Sequence, residues 1–403
     1  MKQYDIDEIV KKNICNGCGL CASVFDSVEM KYDGNIRLPV SEKKMSEKEK
    51  LLFNRICPAI NISTKKLVDS DELSLPIIGP MIAYYNGYSN DEQIRYRASS
   101  GGALTSFLAY LLDENIVQAV LQIKKSSNPF DNIPVISKSS HEIIECAGSR
   151  YAPTSLLIRL KEALESNECL AIVGKPCDIR GAKLYISSVP EYEKKKIVYI
   201  NFLCGGMPKM IGTKKILEKL NCTKYEDLLD ITYRGNGWPG RFVAKTKEKK
   251  YEMSYEDAWG DYLGRNVLLS CKLCIDSVGD SSDITFGDGW KVNDKGYPVF
   301  EDDNGIDLII VRNKWILELL LDANRKGYLT IDKKDENEFL QIQPSQCVRR
   351  KTSNNKILAM KIMRIPFVVK DQKYINKYSY DNGKIKKIKN ILGTIKRIIK
   401  YEK

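Results

Sequence analysis

The sequence predicts an α/β protein: a core with a mixed or parallel sheet, preceded by a small cysteine-bearing module. Three observations carry this. Short apolar runs at residues 116–123, 170–173 and 197–203 alternate with helical segments, the pattern of βαβ units around a parallel sheet. Two of those runs end in turns rich in Gly, Pro and Cys, where open α/β sheets place their ligands. Ahead of them, residues 1–65 hold four of the 12 Cys at close spacing.

The module comes first. Ile14-Cys15-Asn16-Gly17-Cys18-Gly19-Leu20-Cys21 is C-x2-C-x2-C, the run with which bacterial ferredoxins hold a [4Fe–4S] cluster. Its glycines let the backbone pass close to the sulfurs and aim N–H groups at them. A two-cluster ferredoxin continues to a Cys-Pro; here that position is Phe25-Asp26, and Cys-Pro recurs only at Cys57-Pro58. Cys57 is therefore the expected fourth ligand for Cys15, Cys18 and Cys21. A second cluster's ligands are missing together. Residues 1–65 thus read as a ferredoxin-like [4Fe–4S] module with one site, although four thiolates also suit zinc.

Residues 61–80 read as a linker, and residues 84–88 as a short strand. Ser99-Ser100-Gly101-Gly102 then opens a helix over residues 103–112. Such an N-terminus favours an anion and lets a phosphate approach closely, but a plain cap looks the same. Gly148-Ser149-Arg150-Tyr151 follows the strand at 116–123. The strand at 170–173 runs into Gly174-Lys175-Pro176-Cys177-Asp178, and Asp178 is placed to cap the next helix. The strand at 197–203 runs into Cys204-Gly205-Gly206. Cys271-Lys272-Leu273-Cys274 supplies a second C-x2-C pair. Cys177, Cys204, Cys271 and Cys274 make a plausible four-thiolate site, open to a cluster or to zinc. Residues 307–312 read as a late strand and 315–321 as a late helix.

Composition narrows the chemistry. The longest apolar run is too short to span a membrane, and the first residues lack a secretory apolar segment. A cytoplasmic chain is expected, in which Cys serves metal or redox chemistry and not disulfides. The single His, His141, lies in a polar stretch, so the usual His acid–base and zinc-hydrolase sites are excluded. The net charge of +12 belongs to residues 351–403, with 15 Lys/Arg against three acids; the first 350 residues balance. Within that tail, residues 384–401 form a basic amphipathic helix. It suits either an anionic membrane surface or docking on the body or a partner.

Together the C-x2-C-x2-C run, SSGG before a helix, GSRY, GKPCD and FLCGG after strands, the second C-x2-C and Asp283-Ile284-Thr285-Phe286-Gly287-Asp288 resemble one family. It is the beta-subunit family of coenzyme F420-reducing hydrogenase and dehydrogenase, over residues 1–345. The resemblance implies two units, 80–165 and 166–345, between the module and a basic tail at 350–403. It implies an iron–sulfur flavoprotein that passes electrons between ferredoxin or another redox subunit, [4Fe–4S] clusters, FAD, and a deazaflavin such as coenzyme F420 or another small organic acceptor. Some similar proteins belong to bacterial polysaccharide gene clusters. By position, Cys177, Cys204, Cys271 and Cys274 match cluster thiolates, and Ser99, Ser100, Gly101 and Gly102 match a flavin-phosphate loop. Arg150 and Tyr151 match a cofactor- or substrate-contacting segment. Lys175 is expected beside the flavin, as the catalytic cation that stabilises its reduced ring. Two other readings stay open. One is a zinc-stapled binding module whose basic tail meets membrane or nucleic acid. The tail's aromatic residues, Tyr374, Tyr378 and Tyr380, do not interleave it as base-stacking platforms would. The other is an electron-transfer subunit with no substrate site of its own.

Overall fold

The computed structural model describes residues 3–63, 75–293, 299, 303–380 and 383–402. Most of the expected linker, residues 64–74, lies outside them. β1 (Val28–Tyr32) and β2 (Arg37–Ser41) pair as an antiparallel ribbon in the N-terminal segment. β3 (Ala83–Ser89), β4 (Ala119–Lys125), β5 (Asn132–Ser137), β6 (Cys169–Gly174) and β7 (Lys196–Phe202) begin a central sheet. β8 (Leu228–Thr232), β9 (Arg241–Thr246) and β10 (Lys250–Ser254) form a separate antiparallel sheet. β11 (Ile284–Asp288), β12 (Asp307–Val311) and β13 (Leu329–Lys333) complete the central one. Its order is β13-β3-β12-β11-β7-β6-β4-β5.

The sheet is mixed. β4, β6, β7 and β11 run parallel, while β12, β3, β13 and β5 add antiparallel neighbours. The α/β core is thus as expected, but residues 80–165 and 166–345 do not build separate sheets: β3 sits between β12 and β13. Burial on both faces explains why β6 and β12 read as continuous apolar runs. Strand periodicity sends alternate residues to opposite faces. Leu170 and Ile172 join one buried cluster, Ala171 and Val173 the other.

The helices Ala103–Asp113 and Lys314–Arg325 cover one face. On the other, Ile6, Ile9, Phe53 and Ile56 of the N-terminal segment share a cluster with Leu121, Leu170 and Ile179. The N-terminal segment, expected as a ferredoxin-like module, is therefore continuous with the main core. The basic tail is also partly absorbed. Ile357, Ile375 and Tyr378 pack against Tyr84, Leu308 and Ile310. Buried Arg350 bonds Asp280 Oδ2 and Tyr374 Oη, each at 2.9 Å. The last helix, Lys384–Glu402, leaves much of its surface in water.

Candidate functional site

The first cysteine set is built by a tight loop and a distant helix end. Cys15, Cys18, Cys21 and Cys57 line one cavity. Gly17 and Gly19 take left-handed φ values of 66° and 83°, which glycine adopts without a steric penalty. A side chain at Gly19 would also press on Ser155 and Ile158. The Gly17 N–H donates to Cys15 Sγ at 3.4 Å. Cys57 ends the helix Glu47–Ile56. Most of the rest of the wall is apolar, including Ile6, Phe53 and Ile56, with Asn16 as a polar side chain. Burial pushes the Cys15 thiol up to about 12 and Cys57 up to about 11, and also raises Cys18 and Cys21. Backbone N–H groups of Gly17, Leu20, Ala22, Ala59 and Ile60 act the other way, favouring thiolate. Such a set becomes stable as thiolate when a cation or cluster neutralises it.

The second set gathers at the carboxyl edge of the sheet. Lys175, Pro176 and Cys177 follow β6, and Cys204 follows β7. Cys271 and Cys274 come from the short helix Leu269–Leu273 and its end. All four cysteines line a second cavity, with Lys175, Arg180 and Arg349 in the same wall. Gly206, at φ 119°, brings its turn against Cys271; a Cβ there would lie 3.2 Å from the cysteine's own. The Met207 N–H donates to Cys271 Sγ at 3.2 Å. Burial raises the Cys177 and Cys271 thiols and pushes Cys204 up to about 12. Burial alone would depress the Lys175 ammonium. Asp178 at 2.7 Å, Cys177 and Cys204 more than offset it, so its pKa is raised and it stays charged.

The two cavities share a wall. Asn16, Pro58 and Ala59 line both, and Ser270 Oγ donates to Cys15 O at 3.4 Å. Arg180 stands at this partition, 3% exposed. Its Nη1 bonds Asp276 Oδ2 at 2.9 Å and its Nη2 bonds Pro58 O at 3.3 Å, while its Nε has no protein acceptor. The sequence reading missed Arg180. It lies three residues after Cys177, on the same helix face, and that spacing was the available signal. Among the described residues, no three His, Cys, Asp or Glu side chains converge as a single-ion site requires. The thiols are instead spread around two cavities.

The other candidate residues form a separate group near the same edge. Ser99 Oγ accepts the Ser149 N–H at 2.6 Å, and Ser100 Oγ donates to Ile306 O at 2.9 Å. Gly101 is wedged against Gly87 and Asp307, where a Cβ would come within 2.7 Å of backbone. Ala103 N–H donates to Asp307 Oδ2 at 2.7 Å. That leading N–H of the helix is therefore held by a carboxylate, and an anion there must compete with Asp307. Burial pushes the Asp307 carboxyl up to about 7. Arg150 bonds Asn132 Oδ1 and Ile231 O, each at 2.6 Å, and so ties the main sheet to the β8–β10 sheet. Tyr151 packs against Tyr233, Tyr255 and Trp259. Beside them lies Arg234, also missed, which pairs with Asp288 at 2.8 Å under the rings of Trp238, Tyr255 and Trp290. The contacts of Lys175 run to the cysteine cavity, whereas the Ser99–Gly102 loop meets Asp307, Ile306 and Arg234.

Two family models match the chain. Residues 84–161 match the coenzyme F420 hydrogenase/dehydrogenase beta subunit N-term, and residues 167–337 its C terminus. Among relatives, subunit beta of F420-dependent formate dehydrogenase 1 from Methanococcus maripaludis is 28% identical over 61% of this chain and 60% of its own. The F420-dependent formate dehydrogenase subunit beta from Methanocaldococcus jannaschii is 25% identical over 62% and 61%. The chain thus spans about three fifths of the length of these relatives. Coenzyme F420-dependent sulfite reductase of the latter organism is 21% identical over 71% of this chain and 44% of its own. A chain of the F420-reducing [NiFe] hydrogenase complex from Methanosarcina barkeri shares the fold. Its TM-score is 0.56 at 18% identity, over 75% of this chain and all of that one. Both halves of the sheet and both strand-end cysteines fall inside the matched segments, and the chain belongs to the coenzyme F420 hydrogenase/dehydrogenase beta-subunit family.

Proposed function

We propose that the chain is an iron–sulfur oxidoreductase that relays single electrons through two adjacent [4Fe–4S] sites to a flavin and an organic acceptor. The observation that carries this reading is the pair of four-cysteine cavities with a common wall of Asn16, Pro58 and Ala59. Cys15, Cys18, Cys21 and Cys57 would hold one cluster; Cys177, Cys204, Cys271 and Cys274 would hold the other. Thiols spread around a cavity suit a four-iron body more than a single ion. Each cluster, when bound, supplies one-electron transfer.

The chain's own residues would set the direction. The first cavity is lined mostly by apolar side chains and by no charged one, which raises the cost of added negative charge. The second cavity is walled by Lys175, Arg180 and Arg349 against one carboxylate, Asp276, a net positive wall that favours the reduced, more negative form. Electrons would therefore run from the first site to the second. Lys175 acts there by charge, held in place by Asp178.

For the flavin the proposal extends to binding only, with Ser99, Ser100, Gly101, Gly102, Arg150 and Tyr151 as its contacts. A redox subunit or ferredoxin is the proposed donor or acceptor at the first site. A deazaflavin, coenzyme F420 by analogy with the named relatives, is the proposed two-electron partner. The relatives' description as subunits favours a second reading, an electron-transfer subunit without its own substrate site. The purified chain, reconstituted anaerobically, separates these readings. Reduction of its visible absorbance by reduced F420 alone supports the enzyme; reduction only after adding a partner supports the subunit. Flavin released on denaturation should approach one per chain. Less than about a tenth would remove the flavin and leave the relay standing.

A further inference from the structure

The terminal helix Lys384–Glu402 has two apolar faces, and the body uses one. Thr394 and Ile398 are buried against the rest of the chain. Tyr401 Oη donates to Val267 O at 2.6 Å, and Asn13 Nδ2 donates to Tyr401 O at 2.8 Å. The helix is thereby pinned beside Ser353–Ile362 and beside Leu269–Leu273, which carries Cys271.

The second face is uncovered. Ile385, Ile388, Leu392 and Ile399 are 73%, 56%, 59% and 44% exposed. Their spacing of i, i+3, i+7 and i+14 puts them in one stripe, turned roughly 120° from the docked face. Lys389, Lys396 and Lys400, at i, i+7 and i+11, form a row alongside. Lys386 and Arg397 flank it, Lys384 and Lys387 lie elsewhere on the first turn, and residues 383–401 contain no Asp or Glu.

We propose that this helix docks the protein on an anionic lipid bilayer. The isoleucine–leucine stripe would enter the acyl boundary, and the lysine row would face the headgroups. A continuous apolar stripe facing water marks a contact surface. Its single-sign border selects an anionic partner. A second copy would bring seven cations against seven. A nucleic acid would satisfy the lysines and leave the aliphatic stripe in water. A bilayer with anionic lipid satisfies both features at once. Because the helix is pinned at its C-terminal half, docking would also fix the orientation of the cysteine cavities above the surface.

Flotation of the purified full chain with vesicles tests this without involving its redox chemistry, so failure here is distinct from failure of the relay. Vesicles of phosphatidylcholine with ~30% phosphatidylserine should retain the protein, and pure phosphatidylcholine vesicles should not. I388D/L392D should lower partitioning at least ~10-fold. K389Q/K396Q/K400Q should lower it on the order of 100-fold and weaken its salt dependence. These side chains are exposed, and an unchanged melting temperature verifies folding. No retention on anionic vesicles, or retention that I388D/L392D leaves intact, overturns the proposal. So does a stripe-dependent dimer in light scattering without vesicle binding, which would assign the face to a second copy.

Discussion

Arg180 is the residue on which the two cysteine cavities meet. It bonds the carbonyl that follows Cys57 and the carboxylate two residues beyond Cys274. Its charge also favours ionised Cys57 and Cys177. Replacing it by Met removes the ion-pair partner of buried Asp276, whose Oδ1 keeps the Gly279 and Asp280 N–H groups, and should cost about 3 kcal/mol in chemical denaturation. R180K should keep the charge and recover part of that. In an EPR-monitored titration of reconstituted protein, R180M should lower at least one cluster potential by on the order of tens of millivolts. Unchanged potentials would leave Arg180 a purely structural tie. Asp307 carries a different signature. Its carboxyl keeps its proton to about pH 7 in the folded chain, against about 3.9 when unfolded. The folded state therefore binds the extra proton between those values. Stability should fall as pH rises from about 4 to about 7, by at most ~4 kcal/mol, and should be flat in this component above that. D307N still accepts the Ala103 N–H and cannot ionise, so denaturation curves from pH 5 to 8 should lose that slope. The cysteine quartets were legible because C-x2-C spacing and strand ends are local signals. Arg180–Asp276 and Ala103–Asp307 were not, since their partners lie 96 and 204 positions apart.

At the scale of elements, the turns after β6 and β7 carry the second site. Gly206 shows the constraint most plainly. Its φ of 119° and the nearby Cβ atoms of Val267 and Cys271 leave little room for a side chain. G206A should cost roughly 1–3 kcal/mol of strain and displace the Met207 N–H from Cys271 Sγ. Iron retained by the second site should fall, while the first site, measured in the same sample by EPR, should be unchanged. The helix Ala103–Asp113 is buried all round, so its apolar run predicted it directly. The β8–β10 sheet went unread because Lys245, Lys247, Lys249 and Lys250 break the apolar alternation across its turn. The last helix could not be assigned to membrane or body from its pattern, because it has two apolar faces and only packing shows which is filled.

Across the whole molecule, the N-terminal segment and the sheet act as one body. Their shared cluster of Ile6, Phe53, Leu170 and Ile179 seats the first cavity on the carboxyl edge of the sheet, beside the second. A ferredoxin-like module hung on a linker would not fix that distance. The expected boundary near residue 65 was read from motif and composition, which do not reveal that the module's apolar face is completed by β4 and β6. Two neighbouring four-iron sites in these cavities are what the proposed relay requires. The most direct measurement is iron and acid-labile sulfide per chain in anaerobically reconstituted protein, with EPR of the fully reduced state. About eight iron and eight sulfide are predicted, with spectra broadened by coupling between close paramagnets. C57S should bring the count to about four and remove the broadening. One or two zinc per chain with no sulfide, or eight iron with no magnetic interaction, would contradict the account.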